Sequence, residues 1–204
     1  MTPAAQTLLA ELDTTLVQAP ATWRRGVLRR IADLFAAGAK GYSDEQIALF
    51  DLVMGRLIRN ADRGLLAELS NKLAPLDSGP PEVLGRLAGH ADIAVAGPVL
   101  ASAQALPDDS IVAVIDSERV EPNLLTKVVA RAALSEAVSD ILIKRGSRSI
   151  QRKIVDHPNA AISEKSFAKL VIGINGDKSL AAAIAARQDV PEDLRLWLDK
   201  VLEQ

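Results

Sequence analysis

The chain has 204 residues, of which 49% are hydrophobic, and it carries 24 Lys and Arg against 26 Asp and Glu, with no Cys. This length and apolar content suffice to bury a core, and the absence of Cys excludes disulfides, thiolate nucleophiles and Cys-ligated metal sites. The net charge of −2 provides no overall field towards nucleic acid or anionic lipid, and two Trp, one Tyr and three Phe leave little for stacking on bases.

The N-terminal segment predicts two helices, about Ala5 to Val17 and Thr22 to Ala37, that cap one end of the fold. No basic segment precedes the first apolar stretch and Glu11 interrupts it, so we expect no signal peptide. The longest uncharged run, Ile93 to Pro107, is 15 residues long and too short to span a membrane. A cytoplasmic protein without a membrane span is therefore expected.

The next segment predicts an irregular helix pair. Ser43 and Gln46 have the spacing of a capping box, in which each side chain bonds the other residue's backbone amide, and an apolar-periodic stretch follows. A second helix is expected at about Arg63 to Leu73, ending before Pro75. We assign residues 1–79 to an N-terminal helical cap plus this pair.

A short start motif recurs through the remainder of the chain. It occurs at Pro81-Glu82, Pro107-Asp108, Ser135-Glu136, Ser163-Glu164 and Pro191-Glu192, at intervals of 26, 28, 28 and 28 residues. Ser at an N-cap, Pro at the first helical position and an acidic residue in the first turn all favour a helix start. Each motif is therefore predicted to open a helix.

Each repeat is predicted to contain two helices, because a second apolar stretch precedes the next start motif. Turn residues separate these stretches at Arg145-Gly146-Ser147, His157-Pro158-Asn159 and Asn175-Gly176-Asp177. No segment shows the sustained alternation of a half-buried strand. The pattern predicts an all-α fold.

Three segments carry a resemblance to a known family. They are Ala130–Val138, Asp156–Ser163 and Ala186–Pro191. In them the sequence resembles the HEAT-like helical repeats of a bacterial family classed as a domain of unknown function. The resemblance implies a right-handed α-solenoid of HEAT-like helix pairs over residues 81–204, with about 28-residue repeats, and supplies no catalytic residues.

The residues able to support chemistry form no combination typical of an enzyme. His90 and His157 occupy different positions in their repeats, and Asp108-Asp109 lie where helix starts attract carboxylates. No phosphate-binding loop or nucleophile motif is present. We therefore predict no catalytic residue, no metal site and no cofactor.

Two basic clusters remain. Arg24, Arg25, Arg29 and Arg30 form the first, which we interpret as a solvated face, with Asp33 placed to pair with Arg29. The second contains Lys144, Arg145, Arg148, Arg152 and Lys153. We predict that Arg145, Arg148 and Arg152 form one exposed patch and, with Lys153, contact a partner.

Arg131 and Arg187 each lie four residues before a start motif. We expect them in the last turn of a second helix, bonding its free carbonyls or Glu136 and Glu192. The alternative is that the two arginines line one binding face.

The last start motif opens a helix with an apolar stripe of Leu194, Trp197, Leu198, Val201 and Leu202. Leu196 lies off this stripe, and we expect it on an uncovered side that could contact a second copy of the chain, a partner or a further segment.

These observations favour a non-catalytic protein-interaction scaffold or regulatory adaptor. The alternative is a nucleic-acid-binding HEAT-like protein, possibly similar to DNA glycosylases, although the near-neutral charge and sparse aromatics argue against it.

Overall fold

A computed structural model describes residues 19–117 and 120–203. The described residues form α-helices and short 3-10 turns, with one isolated backbone bridge and no strand. This confirms the predicted all-α fold. The helices are α1 (Ala21–Gly38), α2 (Asp44–Leu57), α3 (Arg63–Leu73), α4 (Pro81–Ala88), α5 (Ile93–Ser102), α6 (Asp108–Asp116), α7 (Pro122–Val129), α8 (Glu136–Arg145), α9 (Arg148–Val155), α10 (Glu164–Ile172), α11 (Lys178–Ala185) and α12 (Glu192–Leu202). The helix predicted at Ala5 to Val17 lies outside the described residues.

The backbone groups into two compact units, Met1–Pro107 and Asp108–Gln204. In the first unit, α1 packs on α3 and α3 on α5, while α2 packs on α4. In the second, α6, α8, α10 and α12 pack in succession, and α7, α9 and α11 do the same. Within each unit, therefore, helices two apart in the chain are neighbours.

The predicted start motifs open helices in the structure. α4, α6, α8, α10 and α12 begin at the five motifs. The hydroxyls of Ser135 and Ser163 accept hydrogen bonds from the amides of Val138 and Ser166, at 3.4 and 3.1 Å. Pro191 differs from the prediction, because it is the N-cap of α12 rather than its first helical residue.

The irregular pair also forms as predicted. The Ser43 hydroxyl accepts from the Gln46 amide while the Gln46 side chain accepts from the Ser43 amide, so both halves of the capping box are present. α3 covers the predicted range, Arg63–Leu73. At the turn between α10 and α11, Asn175 and Gly176 have positive φ angles of 46° and 82°, a conformation that favours Asn and Gly.

Ion pairs connect α1 to α3 and its N-cap residue. Arg29 bonds both carboxylate oxygens of Glu68, at 2.6 to 3.0 Å, and Arg25 pairs with Asp62 at 3.0 Å. Asp33 pairs with Lys72. The predicted Arg29–Asp33 pair is therefore replaced by pairs to the neighbouring helix, where the Glu68 carboxylate matches the guanidinium fork.

The start of α4 is capped from another helix. The buried Asp51 carboxylate of α2 accepts from the amides of Glu82 and Val83, at 2.9 and 2.8 Å, while the N-cap residue Pro80 provides no side-chain acceptor. A carboxylate at this position also opposes the positive end of the helix dipole.

Among the described residues, no helix combines the length and the apolar character needed to cross a membrane.

Candidate interaction surface

The arginines that the sequence predicts as contacts all lie in the second unit. Arg145, at the end of α8, reaches back to the carboxyl end of α6. Its Nη2 donates to the carbonyls of Asp116 and Ser117 at 2.8 and 2.7 Å, and its Nε lies 3.6 Å from the Asp116 carboxylate. Arg145 thus bonds the carbonyls that α6 leaves without helical partners.

Arg187 makes a similar contact in the other row of helices, formed by α7, α9 and α11. It follows α11, and its Nη1 donates to the carbonyls of Val155 and His157, both at 3.1 Å, while Nη2 donates to Ala160 at 2.7 Å. The carboxylate that it pairs with is that of Asp189, at 2.7 Å. Arg187 therefore bonds the carboxyl end of α9. It is largely removed from solvent, because only 13% of its side chain is exposed.

This geometry corrects the predicted partners of Arg187. The carbonyls belong to α9 and the loop after it, not to α11, and the paired acid is Asp189 rather than Glu192. Arg187 also lies just beyond the C-cap of α11 rather than in its last turn. A residue of one helix pair reaches the preceding pair because neighbouring pairs pack side by side.

Arg131 occupies the corresponding place after α7, just beyond its C-cap. It is half-buried, and removal from water lowers its pKa, an effect that the nearby Asp108 carboxylate partly opposes. Its backbone carbonyl lies 2.9 Å from Nε2 of His157. The loop after α7 is thereby joined to the loop after α9.

His157 has a structural role in this junction. Its Nδ1 accepts a hydrogen bond from the Asn159 amide at 3.2 Å, which leaves Nε2 to carry the proton and donate to Arg131. The Asn159 side chain donates to the Ala132 carbonyl at 3.1 Å, and Leu134 pairs with Ala160 in the isolated bridge. Both ring nitrogens of His157 are therefore used within the fold.

Arg145, Arg148 and Arg152, which the sequence predicts as one exposed patch, differ in the contacts that they make within the fold. Arg152 reaches forward, pairing with Asp156 at 2.7 Å and donating to the carbonyl and hydroxyl of Ser179 at 2.9 and 2.7 Å. Arg145 reaches back to α6, as described above. Arg148 and Lys153 are exposed, and neither side chain makes an ion pair within the described part of the chain.

A depression of about 610 Å³ lies between the carboxyl ends of α9 and α11. Arg152 and Arg187 line it together with Asp156 and Asp189. Each arginine there has its own carboxylate partner at 2.7 Å. The charges of this depression are thus paired internally, which leaves little unbalanced charge for a ligand.

A second cavity, a groove of about 550 Å³, lies between α8 and α10, and we call it the lysine groove. Its lining residues are Ala137, Asp140, Ile141, Lys144, Lys165, Ser166, Ala168, Lys169 and Ile172. Ile172 is 80% exposed, the most exposed of the large hydrophobic side chains in the described residues. The groove therefore joins accessible apolar surface to three lysines.

The lysine groove was missed in the sequence although its signal was present. On α10, Lys165 lies three residues before Ala168 and four before Lys169, and Ile172 lies three residues after Lys169. These residues therefore share one face, opposite the buried stripe that includes Phe167. A basic run on a helix is usually a solvated face, so only the exposed Ile172 and the adjoining wall of α8 distinguish this one.

Leu196 lies on the exposed side of α12, as expected, with 62% of its surface accessible. Trp197 differs from the prediction, because it is 45% exposed while Leu198 beside it is fully buried. Successive helical residues are about 100° apart, so the face of α12 centred on Leu198 packs against α10 and α11 and leaves Trp197 at its edge.

Comparison with known proteins gives one family. The family described as an uncharacterised protein conserved in bacteria (DUF2336) matches residues 95–204. Neither the curated proteins nor the solved structures provide a match. The matched range includes both the arginine contacts and the lysine groove. Within the described residues, no group of three or more His, Asp or Glu is placed to hold a metal ion.

Proposed function

We propose that this chain, which belongs to the bacterial family DUF2336, is a non-catalytic protein-interaction scaffold or regulatory adaptor of the cytoplasm. The observation that supports the proposal most directly is the lysine groove, where an exposed Ile172 lies in a concave surface beside three lysines. Accessible apolar surface bordered by charge is typical of protein interaction sites.

The finer architecture belongs to the same proposal. We propose HEAT-like helix pairs arranged as a solenoid, supported in the second unit by the succession α6, α8, α10, α12 packed beside α7, α9, α11. Contacts from each pair to the preceding one, such as those of Arg187 and His157, are what stacked repeats require. Such stacking provides extended binding surface without dedicated chemistry.

The test is purification of the tagged full chain from the bacterium that encodes it, with and without nuclease treatment. Quantitative mass spectrometry identifies the proteins that co-purify. We expect a defined set of proteins enriched over a control strain that expresses the tag alone. Enrichment that disappears with nuclease treatment would instead support the nucleic-acid alternative. If no protein is enriched under either condition, the scaffold proposal is wrong.

A further inference from the structure

We infer that the lysine groove binds an acidic amphipathic helix of a partner protein, an inference that rests on the proposed interaction function. The occupant is defined by two features of the groove: an apolar floor that accepts the face of a helix, and unbalanced positive charge along its walls.

The apolar floor comes from α8 and α10. Ala137, Ile141 and Ala168 contribute small or aliphatic side chains, and Ile172 extends the surface outward. Two helices packed side by side leave a long channel between them. An amphipathic helix can enter such a channel with apolar residues at spacings of three, four and seven, a common mode of peptide recognition.

The charge of the groove selects acidic residues. Lys165 and Lys169 are exposed, and neither has an ion pair within residues 19–117 and 120–203. On the opposite wall, the Lys144 ammonium lies 3.4 Å from the Asp116 carboxylate. Arg145 contacts the same carboxylate. The one carboxylate in the groove, Asp140, accepts a hydrogen bond from the Ser163 hydroxyl at 2.8 Å. With Lys144 paired to Asp116, Lys165 and Lys169 against Asp140 still leave the groove with a net positive charge.

The spacing of the lysines sets the spacing expected in the partner. Lys165 and Lys169 are four residues apart on α10, so their Cβ atoms are separated by about 5–6 Å. Two Asp or Glu residues four apart on the bound helix would match them. Phosphate groups of nucleic acid fit this groove less well, because its lining residues include neither an arginine fork nor an aromatic ring for base stacking.

A photo-crosslinking amino acid at Ala137 tests the occupant directly, because Ala137 lines the groove while Ile172 and the lysines stay intact. The full chain carrying it is expressed in its own bacterium and irradiated, and the linked peptide is sequenced by mass spectrometry. Leu49, an exposed residue of α2, carries the crosslinker in the control. We expect Ala137 to capture a helical segment of another protein with an apolar face and carboxylates four apart.

Charge reversal then tests the recognition. Lys165→Glu with Lys169→Glu should reduce the Ala137 crosslink at least about tenfold, because two attractions become repulsions. Lys127→Glu with Lys178→Glu makes the same change of charge on α7 and α11, outside the predicted contacts, and should leave the yield within about twofold. The four lysines are exposed, so the melting temperatures should match. If the groove variant melts lower, Lys165→Gln with Lys169→Gln replaces it, with a smaller expected loss.

The outcomes separate this inference from the proposed function. A crosslink to a basic segment, to a second copy of this chain or to nucleic acid would overturn the acidic-helix inference, as would a yield unchanged by the groove reversal. The acidic-helix inference is also overturned if Ala137 gives no crosslink while proteins still co-purify with the full chain. The scaffold function survives in that case. Absence of both crosslink and co-purified protein would overturn both.

Discussion

Arg187 shows how one side chain can join two helix pairs. Its guanidinium donates to three backbone carbonyls near the carboxyl end of α9, pairs with Asp189, and lies 5.9 Å from the centre of the Phe167 ring. Lysine cannot reproduce this arrangement, because an ammonium group is a point charge without the planar fork of a guanidinium. Arg187 therefore stabilises the fold in a way that depends on its shape as well as its charge.

We predict that Arg187→Lys lowers the free energy of unfolding by about 1–2 kcal/mol and Arg187→Ala by about 2–4 kcal/mol, because carbonyls near α9 lose their donors. Urea unfolding followed by circular dichroism measures both. Arg148→Lys, at an exposed position, is the matched control and should change stability by less than about 0.5 kcal/mol. An Arg187→Ala variant as stable as the wild type, yet unable to bind a partner, would favour the binding-face alternative.

Asp51 has a comparable role in the first unit. Only 6% of it is exposed, and both carboxylate oxygens accept amides at the start of α4. Asp51→Asn replaces one acceptor oxygen by an NH₂ group that faces a donor, so we predict a loss of about 1–3 kcal/mol in the free energy of unfolding. Asp44→Asn, at an exposed position in the first turn of α2, should cost less than about 1 kcal/mol. Equal losses for the two variants would argue against the capping role.

We expect the carboxylates of Glu68 and Asp62, which pair with α1, to make stability depend on pH. The bidentate hydrogen bonds from Arg29 hold the pKa of Glu68 below its usual value, and the Leu65 amide does the same for the pKa of Asp62. The unfolded chain therefore binds protons at a higher pH than the folded chain. This part of the stability is complete near neutral pH and is lost as the pH falls through the lowered folded-state values.

We predict that the urea midpoint falls between about pH 5 and pH 3, and that Glu68→Gln reduces this dependence because it removes one of the titrating groups. Unfolding curves at several pH values, recorded for both proteins, measure the difference. Glu45→Gln, an exposed residue in the first turn of α2, is the control and should retain most of the wild-type dependence. A Glu68→Gln curve parallel to the wild type would show that the Arg29 pair contributes nothing to stability.

Helices were predictable because their signals are local. Ser43, Ser135 and Ser163 are N-caps that a short stretch of sequence reveals, and the positive φ of Gly176 lies in a turn that the sequence also marks. The site was less predictable, because its contacts are long-range. Arg187 meets carbonyls 27 to 32 residues away, and sequence spacing on α11 alone cannot indicate that a neighbouring pair brings them there.

The same limit applies to Arg145 and Arg152, which the sequence predicts as partner contacts. Arg145 and Arg152 belong to the denser basic cluster, but density does not reveal which charges the fold uses. In the structure both bond backbone carbonyls and nearby carboxylates. Lys165 and Lys169 were not among the predicted contacts, because the groove that they line forms where α8 packs beside α10.

The charge of the whole chain leads to the last prediction. Binding to nucleic acid requires cations that neutralise phosphates and release counterions. The chain carries 24 basic against 26 acidic side chains, and Arg145, Arg152 and Arg187 already donate to groups within the second unit. We therefore predict no saturable binding to short DNA or RNA at about 0.15 M salt. Fluorescence anisotropy of labelled duplex and single strands, from about 50 to 200 mM salt, measures it, with a basic nucleic-acid-binding domain as positive control. Saturable binding whose affinity falls steeply with salt, and which Lys165→Glu with Lys169→Glu abolishes, would identify the lysine groove as a phosphate-binding surface and favour the nucleic-acid alternative over the scaffold.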